Sequence, residues 1–221
     1  MDSFSGGFGS GDRPSTRTGP PWEHPGPIFQ RYIDTAKGVL LDPGTTFGNM
    51  RREGGLGAPL TYGMLGLVIG IIASALTQFM MPTMGPRMGG DVAAGAGGLV
   101  FSLVLAPVFA IIGLFLGSAI IHLILMLVGG AKFGYETTFR VIAYTNGSTG
   151  PIGIIPICGG LIGAVWGIVC AIIGLAQAHE TSTGKAAVAV LTPIVICCVI
   201  ATIFAVMFAA LAASFLSNMQ S

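Results

Sequence analysis

The chain has 221 residues, 52% of them hydrophobic and only 9% charged; a soluble domain carries about a quarter charged residues, so a water-soluble globule is excluded. A net charge of +1 with no basic run excludes electrostatic capture of nucleic acid. Charged residues cluster and leave four intervals free of them, 54–86, 92–131, 141–178 and 186–221, each long enough for the ~20 apolar residues that cross a bilayer as a helix. The expected class is an all-α polytopic transmembrane helix bundle of about five spans.

Residues 1–27 are rich in Gly, Ser, Pro and Thr and bury too little to offset chain entropy, which predicts a disordered cytoplasmic leader. No apolar core of a cleavable signal peptide is seen there, and Asp2 stands where a myristoylated glycine would be. From Ile28 the pattern becomes helical. Ile28, Phe29, Tyr32, Ile33, Ala36 and Leu40 share one face, and Gln30, Arg31, Asp34 and Lys37 the other. Residues 28–57 therefore read as an amphipathic segment, either lying in the membrane interface or packed on the protein, broken at Asp42-Pro43-Gly44.

The spans follow from length alone over 58–215. The first, 58–81, carries Gly63, Gly66 and Gly70 on a small-residue face and leads into a turn at 82–97. The second, 99–128, is about 45 Å long if helical, so it tilts or kinks at Pro107. Residues 135–157 are ambiguous, because Lys132, Glu136 and Arg140 mix with aromatics before NGSTGP breaks the chain. They form either a broken third span or an amphipathic segment that dips in and returns. The fourth span, 159–178, sets Gly159, Gly163, Gly167 and Ala171 on one ridge, and close backbone approach along such ridges drives helix packing in lipid. This helix is the expected packing centre. The last span is 186–215. With five spans and the amino terminus inside, nine of ten Lys and Arg are cytoplasmic; with four spans, eight are.

Few residues carry chemistry. His122 lies within the second span, where an ionisable group is costly and points to function, although a hydrogen bond to a neighbour also accounts for it. His179 and Glu180 end the fourth span as anchors or ligands, and Tyr144 and Asn146 flank the broken segment. TSTGKA at 181–186 lacks the first glycine and the final hydroxyl of a phosphate-binding loop. Cys158, Cys170, Cys197 and Cys198 lie in apolar segments at no metal-ligand spacing. No catalytic residue, metal site or cofactor is expected.

GGAKFGYETTFRVIAYTNGS, followed by IIPICGGLIGAVWGIVCAIIGLAQAHETSTGKAAVAVLTPIV, resembles the Yip family, membrane proteins named for interaction with Ypt/Rab GTPases. The likeness lies in the Gly-Gly turn before an aromatic amphipathic segment, the Arg-Val-Ile-Ala-Tyr core, the central Pro, the Trp-bearing span and the His before Gly-Lys-Ala. It implies a five-span, non-enzymatic integral membrane protein. LLDPGTTFGNM stands where eukaryotic members carry an Asp-Leu-Tyr-Gly-Pro type motif, which argues against Rab-type GTPase binding and for a prokaryotic-like branch. The expected role is membrane organisation or a trafficking-like scaffold, with membrane lipids, other membrane proteins or a second copy as partners. The alternative is a small-solute or ion transporter with a site near 147–160. The expected location is a prokaryotic plasma membrane, or Golgi and ER in a eukaryotic host.

Overall fold

Helices are the regular elements among the residues that the computed structural model describes, 17–80, 92–156 and 158–220. They are α1 (Ile28–Leu41), α2 (Pro43–Gly48), α3 (Gly57–Met80), α4 (Val92–Leu127), α5 (Tyr135–Thr149), α6 (Gly159–Ala178) and α7 (Thr183–Gln220), with 3-10 turns at Pro21–Glu23 and Gly150–Ile154. The protein is an all-α membrane bundle. Pro107–Leu127, Gly159–Ala178 and Thr183–Leu211 are each long and apolar enough to cross a bilayer, and α3 adds a shorter apolar stretch, Gly57–Ala73. The 15 residues of α5 and the five of the following 3-10 turn together extend about 32 Å at ~1.5 and ~2.0 Å per residue, close to the depth of a hydrocarbon core.

The packing centre is α5, which corrects the expectation placed on α6. α5 touches α1, α3, α4 and α6, and every residue from Thr137 to Thr145 is buried. Its polar composition makes it look interfacial in sequence, yet its arginine and the hydroxyls of Thr137, Thr138, Tyr144, Ser148 and Thr149 find partners inside the protein, which offsets the cost of burial, while Thr145 Oγ1 is buried without one. Glycines let the neighbours come close. A Cβ on Gly66 of α3 would sit 2.5 Å from Gly147 Cα and closer still to its carbonyl oxygen, so the two backbones are in direct contact. On the other side, a Cβ on Gly163 of α6 would lie 3.3 Å from Thr149 O, and one on Gly159 would lie 3.0 Å from Ile155 Cβ. Gly167 approaches Thr149 Cγ2, and Ala171 is buried.

The leader expected over 1–27 is corrected from Arg17 onward; residues 1–16 lie outside the described part. Trp22 donates its indole N–H to Ala58 O at 2.8 Å and its backbone N–H to Thr35 Oγ1 at 2.8 Å. Arg31 donates to Trp22 O and His24 O with its guanidinium 5.0 Å from the Trp22 ring. An aromatic anchor and a set of hydrogen bonds thus do what low overall hydrophobicity does not. α1 buries Tyr32, Thr35 and Val39 and leaves Phe29 75% and Leu41 81% exposed, so it packs on the protein while presenting an apolar edge. Asp42 caps α2 by accepting from Thr45 N, and this short helix presses Phe47 against Gly174.

Of the turn expected over 82–97, residues 82–91 lie outside the described part and 92–97 form the start of α4. α7 runs past its expected end at 215, and Ala186, Ala189 and Val190 near its start are buried. Lys132 Nζ donates to Glu180 O at 2.5 Å and Lys185 Nζ to Gly129 O at 2.9 Å. The end of α4, the start of α5, the end of α6 and the start of α7 therefore meet at one polar face. From it α5 leads away, and α6 returns to it.

Candidate functional site

The polar face gathers residues far apart in sequence. α6 ends in a Schellman arrangement, with Thr181 N–H donating to Ala176 O at 2.9 Å and Glu180 N–H to Gln177 O at 3.3 Å. The residue that must turn left-handed is Glu180, at φ 51°, where glycine is the ordinary choice. A non-glycine side chain there costs about 1–2 kcal/mol. Its carboxylate is held by Arg52 and by Arg17, the latter at 3.0 Å, and the hydrogen bond from Arg52 holds the carboxyl below its ordinary range. Arg52 also donates from Nε to Ala178 O at 3.1 Å and lays its guanidinium 3.4 Å from the centre of the Phe133 ring.

Beneath this lid lies a hydrogen-bonded chain. Phe133 N–H points at His179 Nδ1 at 3.3 Å, His179 Nε2 is 2.9 Å from Thr138 Oγ1, and Thr138 Oγ1 is 2.8 Å from His122 Nδ1. A backbone N–H only donates, so His179 Nδ1 accepts and the proton of the neutral ring sits on Nε2. Nε2 then donates to Thr138, whose hydroxyl proton is left for His122 Nδ1. Each atom's role in the chain is fixed by the one before it. His179 is completely buried, and burial, His122 and the Arg52 cation push its pKa down to about 4. It is neutral at pH 7, as the chain requires. Tyr135 meets the His122 ring edge-on at 5.9 Å.

A second network starts two residues further along α5, at Arg140. Arg140, 1% exposed, donates to Glu23 at 2.6 Å, to Glu136 at 2.9 Å and to Gly55 O at 2.9 Å. Tyr144 O–H donates to the same oxygen of Glu23 at 2.6 Å, and Glu136 accepts from Gly55 N at 2.7 Å. Gly54 and Gly55, at φ 132° and 87°, allow the 51–55 loop to turn its backbone toward α5. A cleft of about 850 Å³, lined by Arg17, Arg51, Arg52, Glu53 and the segment Phe133–Thr137, opens beside both networks.

Of the residues singled out in sequence, His122, His179 and Glu180 are brought together, with the two imidazoles 5.9 Å apart. Tyr144 belongs to the arginine network, and Asn146 is exposed on the far part of α5. Gly159, Gly163 and Gly167 face the α5 region of the same chain. Among the described residues no three His, Cys, Asp or Glu side chains converge.

The Yip1 domain family model matches residues 37–206. The chain belongs to the Yip1 domain family. No curated protein and no solved structure gives a significant match. The Yip1 domain contains His122, Thr138, Arg140, Tyr144 and His179, whereas Arg17, Trp22 and Glu23, which bind its polar face, precede the matched region. Sequence reasoning missed Thr138, Arg52, Arg140 and Glu23. One signal for the Yip1 arginine was present: Glu136 and Arg140 stand four apart in an otherwise uncharged stretch, the spacing of a helical ion pair. Nothing in the leader marks Glu23 except the adjacent Trp22.

Proposed function

We propose that this Yip1-family protein is a non-enzymatic organiser of other membrane proteins, with its polar face cytoplasmic and serving as the docking platform. The observation that carries this reading is the cross-bracing of that face. Leader, 51–55 loop, α5 and the end of α6 are tied together by Arg17, Arg52, Arg140, Glu23 and Glu180, which yields a preformed surface beside an open cleft and the exposed apolar edge of α1. Preformed surfaces lose little entropy on binding a partner. The positive residues Arg17, Arg52, Lys132 and Lys185 on this one face support a cytoplasmic orientation, and a prokaryotic plasma membrane is the proposed site, or Golgi and ER in a eukaryotic host.

In-cell photocrosslinking tests the proposal, with the reactive residue at exposed Phe29 on α1 and exposed Glu53 at the cleft. A discrete protein partner captured from both positions, and lost when Arg52 is replaced by Ala, is the expected result. Recovery of lipid alone from both positions would sink it. A second reading, a small-solute or ion path, is favoured by the His179–Thr138–His122 chain, which lies at the start of α5 and not beside the 147–160 segment expected for it. Proteoliposome flux that depends on pH and changes in His122→Ala would establish it; the organiser reading expects no such flux.

A further inference from the structure

The leader segment 17–26 lies on the Yip1 domain in the manner of a bound peptide. It enters and leaves through Gly-Pro-Pro and Pro-Gly-Pro, with Gly19 at φ 85° and Gly26 at φ 150°, and its regular structure is a single 3-10 turn. Besides Arg17, which pairs with Glu180, Trp22 and Glu23 make the attachment. Trp22 stands edge-on to Tyr62 at 5.4 Å while its indole bonds Ala58 O. Glu23, 5% exposed, puts one carboxylate oxygen 2.6 Å from both Arg140 Nη1 and Tyr144 Oη, with Arg51 at 3.9 Å from the other. Donors and slot all lie within the matched domain, and the acid that fills them lies outside it.

We propose that Arg140 and Tyr144 form a carboxylate socket beside an aromatic slot at Tyr62, occupied in cis by Trp22-Glu23, and that a protein partner bearing an exposed aromatic–acidic peptide engages by displacing the leader. This rests on the organiser reading and names the chemistry of its partner. With the leader absent Arg140 keeps Glu136 and Gly55 O but loses the acceptor of Nη1, and a buried charged donor left without a partner is costly. The pairing of an aromatic with an adjacent acid gives the socket its selectivity: the slot accepts the ring, and two charge-assisted hydrogen bonds read the acid. A tethered ligand is present at an effective concentration of order millimolar, so the wild-type leader outcompetes a weak free peptide and the socket stays closed until a partner of sufficient affinity arrives.

The test uses the full chain in detergent micelles and a fluorescent peptide of residues 17–27, followed by anisotropy. Chains with a weakened leader, Glu23→Gln and, separately, Trp22→Ala, are expected to bind the peptide about tenfold more tightly than the wild type, as loss of one charge-assisted bond or of the aromatic anchor exposes the socket. A peptide with Glu23→Gln should bind the same chains about tenfold more weakly, and Tyr144→Phe in the Trp22→Ala chain should weaken the normal peptide. Thermal melts confirm that each chain is folded, and two leader variants guard against failure of either. Equal binding of the acid and amide peptides, or no binding to either folded leader variant, would overturn the socket and leave Glu23 as an internal staple. Displacement of the label by phosphatidylserine micelles but not by unlabelled peptide would overturn the protein partner in favour of a headgroup. Partner crosslinking with a failed peptide test would spare the organiser reading and refute only the socket.

Discussion

Replacing Gly66 with Ala is the severest small change this fold offers. The new Cβ would lie 2.5 Å from Gly147 Cα and 2.6 Å from its carbonyl carbon, whereas unstrained carbon contacts fall near 3.5–4.0 Å, so α3 and α5 must part by about 1 Å or more. Both obstructing atoms are backbone, and no rotamer change relieves them. Separation also stretches the bond between Tyr62 of α3 and Ser148 of α5 at 2.8 Å. Overpacking costs ~1–3 kcal/mol by itself, and the weakened buried hydrogen bond adds ~1 kcal/mol. A loss of about 3 kcal/mol, or roughly a hundredfold in the folding equilibrium, is the expected result in an SDS-unfolding titration from mild detergent. Gly167→Ala is the internal control, because its Cβ would meet Thr149 at 3.5 Å, ordinary contact, and it should change stability by under about 1 kcal/mol. Equal unfolding midpoints for Gly66→Ala and Gly167→Ala would refute the claim that α3 and α5 meet backbone to backbone.

Three further perturbations test the polar face and the helices around it. Because the folded pKa of His179 is pushed down to about 4, below the ordinary ~6.5 of an unfolded histidine, the unfolded chain binds more protons between those values; stability is full above about pH 6.5 and declines toward pH 4 by up to ~1.4 kcal/mol per unit. Unfolding titrations against pH should show this slope in the wild type and a shallower one in His179→Asn; parallel curves would show that His179 is not held neutral. At Glu180, φ 51° makes Gly the better replacement: Glu180→Gly should be more stable than Glu180→Ala by about 1 kcal/mol, although both lose ion pairs on a half-exposed carboxylate worth only ~0.2–1 kcal/mol each. A lower melting temperature for the glycine variant would contradict the left-handed cap. Finally, Gly163→Leu should prevent native assembly, because a Cβ already reaches 3.3 Å from Thr149 O and three more carbons have no space; wild-type elution and melting would remove Gly163 from the packing ridge.

What could be read from the sequence follows from which forces leave a local trace. Exclusion from water leaves one in every uncharged interval, so the membrane class and the long apolar helices at Pro107–Leu127, Gly159–Ala178 and Thr183–Leu211 were legible. Close packing leaves a weaker trace. Gly159, Gly163 and Gly167 form a visible ridge and Gly63, Gly66 and Gly70 another, and only the fold shows that Gly66 makes the tighter crossing. Glycine spacing shows where a backbone can approach and is silent on how near it comes.

Pairing of buried polar groups leaves almost no trace, since each partner is set by tertiary structure. His122 stood out as a lone ionisable group within a span, and His179 as a helix end, yet their link runs through Thr138, one hydroxyl among several in the chain. The same reasoning explains why the sequence of α5 leaves a broken span and an amphipathic segment as alternatives. A helix carrying Glu136, Arg140 and several threonines belongs at an interface if its partners are water, and at the centre if they are Glu23, Gly55 and His179. Partners contributed by the leader and the 51–55 loop, 117 and 85 residues from Arg140 in sequence, decide between the two. The centre of this bundle is polar because remote segments fold over it and complete its hydrogen bonds, a condition that periodicity within α5 does not encode.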